Sequence, residues 1–287
     1  MPTVSIIILN YNTFQLTCNC IESIIEFTKD ISYEIILVDN LSNECDADLF
    51  KQKFPSINLI KSNENGGFAK GNNLGIQAAN GDFILLLNSD TYLIEDAISK
   101  TINFYKKENL KGLIGCKMIY PNGKIQHTAR KFRSISWELL DVFRFLLYIL
   151  SYKKRANLML GKYFKSNFNT ECDWLNGAFF MFTKTALVKL PQHKLDERFF
   201  MYGEDHLWCW QFQQIGYHSY FYSEAQIVHI NNGSTAKSRQ LALRNTMLKN
   251  ELIIMKERVG TGLYFFIFST IYSAKEKFRI GVNTLIK

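Results

Sequence analysis

The chain has 287 residues, 47% of them hydrophobic, which is enough for one large domain or a domain with an appendage. Residues 1–90 hold 5 Lys and no Arg against 11 Asp and Glu, a net charge of −6, whereas the remaining 29 basic and 15 acidic residues give +14. The acidic first part excludes a nucleic-acid surface spread over the whole chain, and the basic part suits nucleic acid, a phosphorylated ligand or an anionic membrane.

The six cysteines give no sign of a metal site. None forms a CxxC pair and most stand among apolar residues, so we expect buried free thiols and a reducing compartment. The N-terminus opens on a strand pattern rather than on a basic segment with an apolar signal, so we expect no export.

Apolar, β-branched segments alternate with polar and helical ones through the first 90 residues. They are typical of strands buried on both faces. We predict four such strands, at residues 4–9, 33–38, 57–60 and 83–87. A helix ends near Phe27, and a Gly/Asn-rich turn at 65–75 leads into a helix at 75–79. This alternation predicts an α/β fold with a parallel, doubly wound sheet.

Polar side chains follow three of these strands at the point where each one ends. After the first, second and fourth strands stand, respectively, Asn10 with Asn12, Asp39 with Asn40, and Asn88 with Asp90. In such sheets ligands bind beyond the carboxyl ends of the strands. Asn and Asp also favour ordinary turns, which would explain any one cluster. Three clusters at one edge indicate a binding site.

The segment 65–75 (NGGFAKGNNLG) carries neither a GxGxxG fingerprint nor the GK[ST] of a Walker loop. Its glycines permit close backbone approach to a ligand and leave N–H groups free for phosphate. A plain loop would explain the glycines, but it explains less well their combination with Phe68, Lys70, Asn72 and Asn73.

Beyond residue 90 the alternation is less regular. We predict a helix at 91–107, a strand at 113–120 and a hairpin turn at 121–123. Two apolar segments, 136–151 and 263–272, have basic borders and are shorter than the ~20 residues that span a bilayer. Both alternatives stay open here, namely core helices or segments that lie on an anionic membrane surface.

Two acids at strand ends suggest ligand chemistry. Asp90 can hold a divalent cation whose shell is completed by substrate phosphates, although an Asp in this place also caps helices. Asp39 can accept hydrogen bonds from a nucleoside base or ribose.

Adjacent acids, Glu204 and Asp205, follow an aromatic segment. Two adjacent carboxylates that are close to buried groups repel each other and lose solvation, which raises the proton affinity of at least one and suits a general base. Acids also favour the first turn of surface helices, which is the alternative. His229 ends a further strand pattern, and a lone His is more often structural than a ligand.

Taken together, these segments resemble the inverting glycosyltransferases of family 2, particularly the bacterial rhamnosyltransferase-like and galactofuranosyltransferase-like branch. The matching segments occur in the family's order and span roughly residues 3–245. They are SIIILNYN at 5–12, ILVDNLS at 36–42, NENGGFAKGNNLG at 63–75, LLLNSD at 85–90, WLNGAFFMF at 174–182, FFMYGEDHLWCW at 199–210 and HINNGST at 229–235.

The resemblance implies a Rossmann-like GT-A fold over residues 1–235, with a nucleotide-sugar half (1–90), an acceptor half (91–235) and a helical extension (236–287). It implies Asp205 as the catalytic base beside Glu204, Asp90 with His229 as ligands of Mg²⁺ or Mn²⁺, and Trp174, Asn176 and Gly177 at the acceptor. It places the donor at Asn10, Asn12, Asp39, Asn40, Gly67, Phe68, Asn72, Asn73, Asn88 and Asp90.

This sequence departs from the family's pattern in two places. Asn88 replaces the first acid of the DxD motif, so metal binding rests mainly on Asp90. After Asp205, where relatives often continue with Val-Asp-Leu and an Arg, this chain has His206, Leu207 and Trp208.

The resemblance also implies substrates and location. The donor would be dTDP-rhamnose or a UDP-sugar, and the acceptor a glycan on a polyprenyl diphosphate at the cytoplasmic face of the inner membrane, for a surface polysaccharide such as O-antigen or capsule. The competing hypotheses are a nucleotidyltransferase that makes sugar nucleotides and a peripheral membrane protein that binds glycan without turnover.

Overall fold

The computed structural model of the protein describes residues 1–231 and 237–285, and the side chains of these residues except for 237–241 and 280–285. The expected motif residues Gly233, Ser234 and Thr235, and the expected domain boundary at 235/236, lie outside the described residues.

The strands of the described residues are β1 Val4–Asn10, β2 Tyr33–Asp39, β3 Asn58–Lys61, β4 Phe83–Asn88, β5 Thr91–Leu93, β6 Gly112–Ile119, β7 Ile125–Gln126, β8 Ala129–Arg130, β9 Thr170–Cys172, β10 Trp174–Leu175, β11 Phe179–Thr183 and β12 His218–His229. The α-helices are α1 Phe14–Phe27, α2 Asp48–Lys53, α3 Gly67–Gln77, α4 Ala97–Lys107, α5 Ile135–Val142, α6 Tyr152–Met159, α7 Lys184–Leu187, α8 Glu204–Gln214, α9 Lys237–Val259 and α10 Leu263–Leu285. Short 3₁₀ helices lie at Arg144–Ile149, Gly161–Tyr163 and Pro191–His193.

The main sheet has the strand order β3-β2-β1-β4-β11-β6-β12-β5. Strands β1 to β4 are mutually parallel, as the sequence predicts. Strand β11 enters antiparallel between β4 and β6, so the complete sheet is mixed rather than parallel throughout. The α/β prediction is confirmed, and the mixed half is where the regular alternation in the sequence ends.

Alternate residues of the buried strands face two separate cores. Ile6 and Ile8 of β1 pack in one cluster with α1 and α4, while Ile7 packs in the other with α3 and α8. Because successive strand residues point to opposite faces, the apolar segments of the sequence must be apolar at every position. The parallel pairing of β1 with β2 and β4 places the carboxyl ends of these three strands side by side.

The glycine-rich segment is a helix rather than the predicted turn. Helix α3 begins at Gly67 and ends at Gln77, so the prediction of a helix at 75–79 is wrong. A Cβ added at Gly71 would stand 2.4 Å from the side chain of Leu9, and one at Gly75 would stand 2.4 Å from that of Ile7. These two glycines therefore let the helix pack closely on β1 instead of admitting a ligand.

Residues 91–107 also differ from the prediction of one helix. Residues Thr91–Leu93 form β5, which pairs antiparallel with the end of β12 and places Thr91 opposite His229. Helix α4 begins only at Ala97, where the Asp96 carboxylate accepts a hydrogen bond from the Ser99 amide at 3.0 Å. The predicted strand and hairpin turn that follow are confirmed by β6 and β7.

The two apolar segments with basic borders are partly exposed. Residues 136–151 form α5 and the following 3₁₀ helix, and residues 263–272 form the first part of α10, which packs on α9 in a small core around Phe268 and Tyr272. In the described part of the chain, no helix has both the length and the apolarity needed to cross a membrane. All six cysteines are free thiols, five of them buried, as expected.

Candidate active site

A hydrogen-bonded network joins the ends of β1 and β2. The pairing register sets Asn10 beside Asp39, and the Asn10 amide donates to Asp39 Oδ1 at 2.8 Å and to Ser42 Oγ at 2.9 Å. The Ser42 amide donates to Asp39 Oδ2 at 3.1 Å. Both carboxylate oxygens of Asp39 are thus held in place, which fixes this acid at the sheet edge.

Asn12 and Asn40 extend this network to the neighbouring loops. Asn12 has a φ of 52°, and its side chain accepts a hydrogen bond from the Asn43 amide at 2.9 Å. The Asn40 side chain donates to Asn65 Oδ1 at 2.9 Å and to the Gly67 carbonyl at 3.3 Å. Asn40 therefore ties the end of β2 to the start of α3.

A cavity of about 640 Å³ opens at this edge of the sheet. Its lining includes five of the residues predicted to bind the donor, namely Asn40, Gly67, Phe68, Asn88 and Asp90. Asn10, Asn12 and Asp39 stand in the network beside it rather than in its wall. We name this space the strand-end cavity.

Two further predicted donor residues serve the fold. The Asn73 side chain donates to the Leu195 carbonyl and to Glu197 Oε1, both at 2.8 Å, and accepts from the Leu195 amide. The Asn72 side chain donates to the Phe68 carbonyl at 2.8 Å. Neither residue lines the strand-end cavity, because the segment is helical and turns both amides toward protein groups.

Asp90 and His229 meet where β5 pairs with β12. His229 Nε2 lies 3.2 Å from Asp90 Oδ1, and His229 Nδ1 lies 2.8 Å from Gln126 Oε1. The Gln126 amide nitrogen donates to the His229 carbonyl, so its oxygen faces Nδ1, which must carry the ring proton. A protonated ring would pair with the Asp90 carboxylate through Nε2, whereas a neutral ring would offer the Nε2 lone pair to a cation that Asp90 also binds.

These residues fit a divalent cation. Asn88 Oδ1 is buried and has no hydrogen-bond partner among the described residues, although Asn88 lines the strand-end cavity beside Asp90. Amide and carboxylate oxygens are the ligands that hard cations prefer. The described chain contains no cluster of three His, Cys, Asp or Glu side chains placed for a metal, so substrate phosphates would have to complete the shell.

Glu204 and Asp205 form the first turn of α8, after Gly203 with a φ of 99°. Asp205 accepts hydrogen bonds from the Gly177 amide at 3.1 Å and the His206 amide at 2.8 Å. Burial and the adjacent Asp205 charge raise the pKa of Glu204 to about 8. Burial also raises the pKa of Asp205, but the two amides and Arg130 oppose that shift. Burial therefore favours the protonated form of both acids, while the two amides, His206 and Arg130 favour the charged form of Asp205.

Asp205 stands next to the strand-end cavity without lining it. A Cβ added at Gly177 would lie 3.5 Å from both Asp205 Cβ and the ring of Phe68, which does line the cavity. The Asp205 carboxylate also interacts electrostatically with Arg130. Asp205, the predicted base, therefore lies at the border of the strand-end cavity, which contains Asp90.

Sequence reasoning did not predict several residues that lie near Asp205. They are Arg130, Phe132, His206 and Glu251. His206 stacks between Phe132 and Trp174, at ring separations of 4.9 and 5.3 Å, and its Nδ1 lies 3.0 Å from Glu251 Oε2. The Arg130 guanidinium lies over the Trp174 ring, 5.0 Å from the ring centroid. Only the departure from the family's pattern at His206 signalled this, because Glu251 is 45 residues away in the sequence.

The predicted acceptor residues surround the base. Trp174 belongs to the stack, and Gly177 donates its amide to Asp205. Asn176 closes a turn, since its side chain accepts from the Ala178 amide at 2.9 Å. Trp174 and Gly177 are therefore placed to position a molecule at Asp205, while Asn176 shapes the backbone that carries them.

Comparison with known sequences identifies the family. Residues 5–173, more than half of the chain, match the profile described as glycosyl transferase family 2. Poly(ribitol-phosphate) beta-glucosyltransferase of Bacillus spizizenii is 32% identical over 126 residues, or 42% of this chain and 20% of that protein. Glycosyltransferase GlyG of Streptococcus pneumoniae is 29% identical over 117 residues, or 39% of this chain and 38% of that protein. The matches thus span less than two fifths of either relative.

Solved structures share the fold over most of the chain. The mannosyltransferase PcManGT of Pyrobaculum calidifontis, in complex with GDP-Man and Mn²⁺, superposes with a TM-score of 0.60 at 14% identity, over 96% of this chain and 69% of that one. TarS 1–349 of S. aureus, in complex with UDP, gives 0.56 at 16% identity, over 88% and 65%. The fold is of the GT-A type, and the chain belongs to glycosyl transferase family 2.

Proposed function

We propose that the protein transfers a sugar from a nucleoside-diphosphate donor to a hydroxyl group of a glycan acceptor, with inversion at the anomeric carbon. The observation that carries this proposal is the position of Asp205. Its carboxyl group is held by two backbone amides at the border of a cavity that contains Asp90 at the ends of parallel strands.

In the proposed reaction the acceptor hydroxyl attacks the anomeric carbon in one displacement while the nucleoside diphosphate leaves. Asp205 takes the hydroxyl proton, and the raised pKa that burial gives it makes it a better base than an exposed Asp. Glu204 stays protonated beside it and so keeps a second negative charge from the site. A single displacement from the face opposite the leaving group produces inversion.

Asp90, Asn88 and His229 would hold a divalent cation, Mg²⁺ or Mn²⁺. Such a cation, when bound, neutralises negative charge on the leaving diphosphate. The buried Asn88 Oδ1, which has no hydrogen-bond partner among the described residues, and the closeness of Asp90 Oδ1 to His229 Nε2 support this assignment. The Mn²⁺ complex of the related mannosyltransferase fold agrees with it.

The donor would be a dTDP- or UDP-sugar. Asp39, fixed by Asn10 and Ser42 beside the strand-end cavity, would contact the nucleoside, and Asn40 and Phe68 would line its pocket. Related folds bind GDP-Man and UDP, which supports a nucleoside-diphosphate ligand without identifying the sugar.

We propose a polyprenyl-diphosphate-linked glycan as the acceptor, with the enzyme bound peripherally to the cytoplasmic face of the inner membrane. An exposed apolar surface, made of Val142, Phe143, Phe145, Leu146, Tyr148 and Ile149, supports this; Ile149 is 87% exposed. Arg144, Lys153 and Lys154 are exposed beside it. Apolar side chains flanked by cations are typical of surfaces that lie on anionic lipid.

Vesicle flotation tests the membrane part. We expect the protein to float with vesicles of phosphatidylglycerol and phosphatidylcholine more than with phosphatidylcholine alone. Phe145→Ser with Ile149→Ser should lower the bound fraction at least roughly tenfold, because each side chain loses its burial in lipid. The double variant Ile25→Ser with Ile94→Ser, at exposed sites elsewhere, is the control. Equal flotation on both vesicles, or of all three proteins, would contradict membrane binding.

A transfer and hydrolysis assay with a panel of nucleotide sugars, with and without Mn²⁺, tests the reaction. We expect release of nucleoside diphosphate from one donor, dependent on the cation. Formation of a nucleotide sugar from a nucleoside triphosphate and a sugar phosphate would instead show a nucleotidyltransferase. Binding without turnover of any donor would show a non-catalytic glycan-binding protein.

A further inference from the structure

A second, smaller cavity of about 190 Å³ is lined by Arg130 and Trp174. Its basic lining residues are Arg130, Lys131, Arg133, Lys162 and Arg279. They come from β8 and the following loop, a 3₁₀ helix and α10. We name this space the basic cavity; it has less than a third of the volume of the strand-end cavity.

The wall of the basic cavity carries an excess of positive charge. Its five Lys and Arg side chains stand against one acid, Asp141. Further acids, among them Glu138, Asp173, Glu251 and Asp205, interact with these cations from outside the wall. Partly buried cations that face one space are suited to binding an anion there.

Arg130 carries the clearest part of this excess. It has no carboxylate within 4 Å in the part of the chain that the structure describes, and its Nε donates to the His127 carbonyl at 3.1 Å. Its guanidinium is fixed in orientation by stacking on Trp174. A planar guanidinium held in this way is suited to phosphate oxygens.

The basic cavity is also connected with both functional surfaces of the molecule. Arg130 interacts electrostatically with Asp205, so a group bound there lies near the base. Trp137 and Asp141, two further lining residues, belong to α5, which leads directly into the exposed apolar surface. Arg130 thus relates the basic cavity to Asp205, and α5 relates it to the exposed apolar surface.

We infer that the basic cavity binds a phosphate or diphosphate group of the acceptor, separately from the donor diphosphate at Asp90. The inference rests on the proposed function, because it assigns one half of the acceptor site. The phosphate chemistry could come from the diphosphate of a lipid carrier or from a phosphodiester of the glycan. The apolar surface beside α5 favours the lipid diphosphate.

Calorimetric titration of the full chain in EDTA tests this, in an Asp90→Asn background that weakens binding at the strand-end cavity. The probes are inorganic pyrophosphate, farnesyl diphosphate and glycerol phosphate. We expect Arg130→Gln and Lys162→Gln each to weaken pyrophosphate binding about tenfold, since each removes a charged hydrogen-bond donor. Lys107→Gln, an exposed residue at the end of α4, makes the same charge change as a control.

Equal affinities for the background protein and both variants, or no binding of any probe, would overturn the inference. Lys162 is 43% exposed, so its variant remains informative if Arg130→Gln fails to fold. Tighter binding of farnesyl diphosphate than of glycerol phosphate supports the lipid source, and the reverse order supports a glycan phosphate. Because binding needs no turnover, failure of the transfer reaction would leave this result standing.

Discussion

The strand-end cavity and the basic cavity are built in different ways. The strand-end cavity lies at the ends of parallel strands, where neutral amides hold one another and Asp90 is paired with His229. The basic cavity is formed by helices and loops inserted after β8, where arginine and lysine are ion-paired with buried acids. One is a rigid feature of the sheet, and the other is a charged feature of the insertion.

The difference teaches where specificity resides. A sheet edge fixed by backbone pairing offers the same few groups to any nucleoside diphosphate, so it determines the class of donor. The helices that follow β8 can change without disturbing the sheet, and here they supply Lys162, Trp137 and the exposed apolar surface. We therefore expect changes at the strand-end cavity to affect all reactions, and changes at the basic cavity to affect acceptors selectively.

The largest effect is expected for Asp205→Asn. The variant keeps the shape of the side chain but cannot accept the proton, so turnover should fall roughly 10³-fold with the donor KM nearly unchanged. Steady-state kinetics of diphosphate release would measure both. Asp30→Asn, at an exposed acid far from Asp205 in the sequence, is the control. A near-normal rate would show that another group is the base.

A smaller but still large loss is expected for Asp90→Asn. Because Asn88 already replaces an acid, this variant leaves the strand end without a carboxylate, and donor affinity in Mn²⁺ should fall about a hundredfold. A thermal-shift titration with donor, in Mn²⁺ and in EDTA, would measure it. The wild type should lose affinity in EDTA and the variant should not. Equal responses of the two proteins would contradict the metal assignment.

The smallest effect is expected for Glu204→Gln and concerns stability. The folded pKa of Glu204, about 8, exceeds its ordinary value of 4.5, so the wild type loses stability as pH rises between these values. The glutamine that replaces Glu204 does not titrate. The melting temperature of the variant should therefore rise by a few degrees relative to that of the wild type between pH 5 and pH 9. Glu108→Gln is the exposed control. A gap that does not change with pH would mean that Glu204 is not the proton carrier.

The first half of the fold could be predicted because local pattern and tertiary structure agree there. Strands buried on both faces leave continuous apolar segments, so β1, β2 and β4 and their polar ends were visible in the sequence. Helix α3 was not, because Gly71 and Gly75 are poor helix formers that are required by close packing on Leu9 and Ile7. Asn73 was therefore assigned to a ligand that it does not face.

The second half depends on contacts that no local pattern encodes. Strand β11 pairs between β4 and β6 although it follows them by many residues, and this places Gly177 against Asp205. The stack of His206 between Phe132 and Trp174 joins three distant segments. The basic cavity likewise needs α10 beside α5, through Lys275 and Glu138. Family motifs predict Asp205 as the base, and the structure adds the residues that surround it.

A crystal structure with Mn²⁺ and an intact donor would test the central claim most directly, namely that Asp205 serves a donor bound at Asp90. We predict a cation between the diphosphate and Asp90, with the anomeric carbon facing the Asp205 carboxylate beside Phe68 and Gly177. A diphosphate bound away from Asp90, or an anomeric carbon separated from Asp205 by protein, would contradict the account.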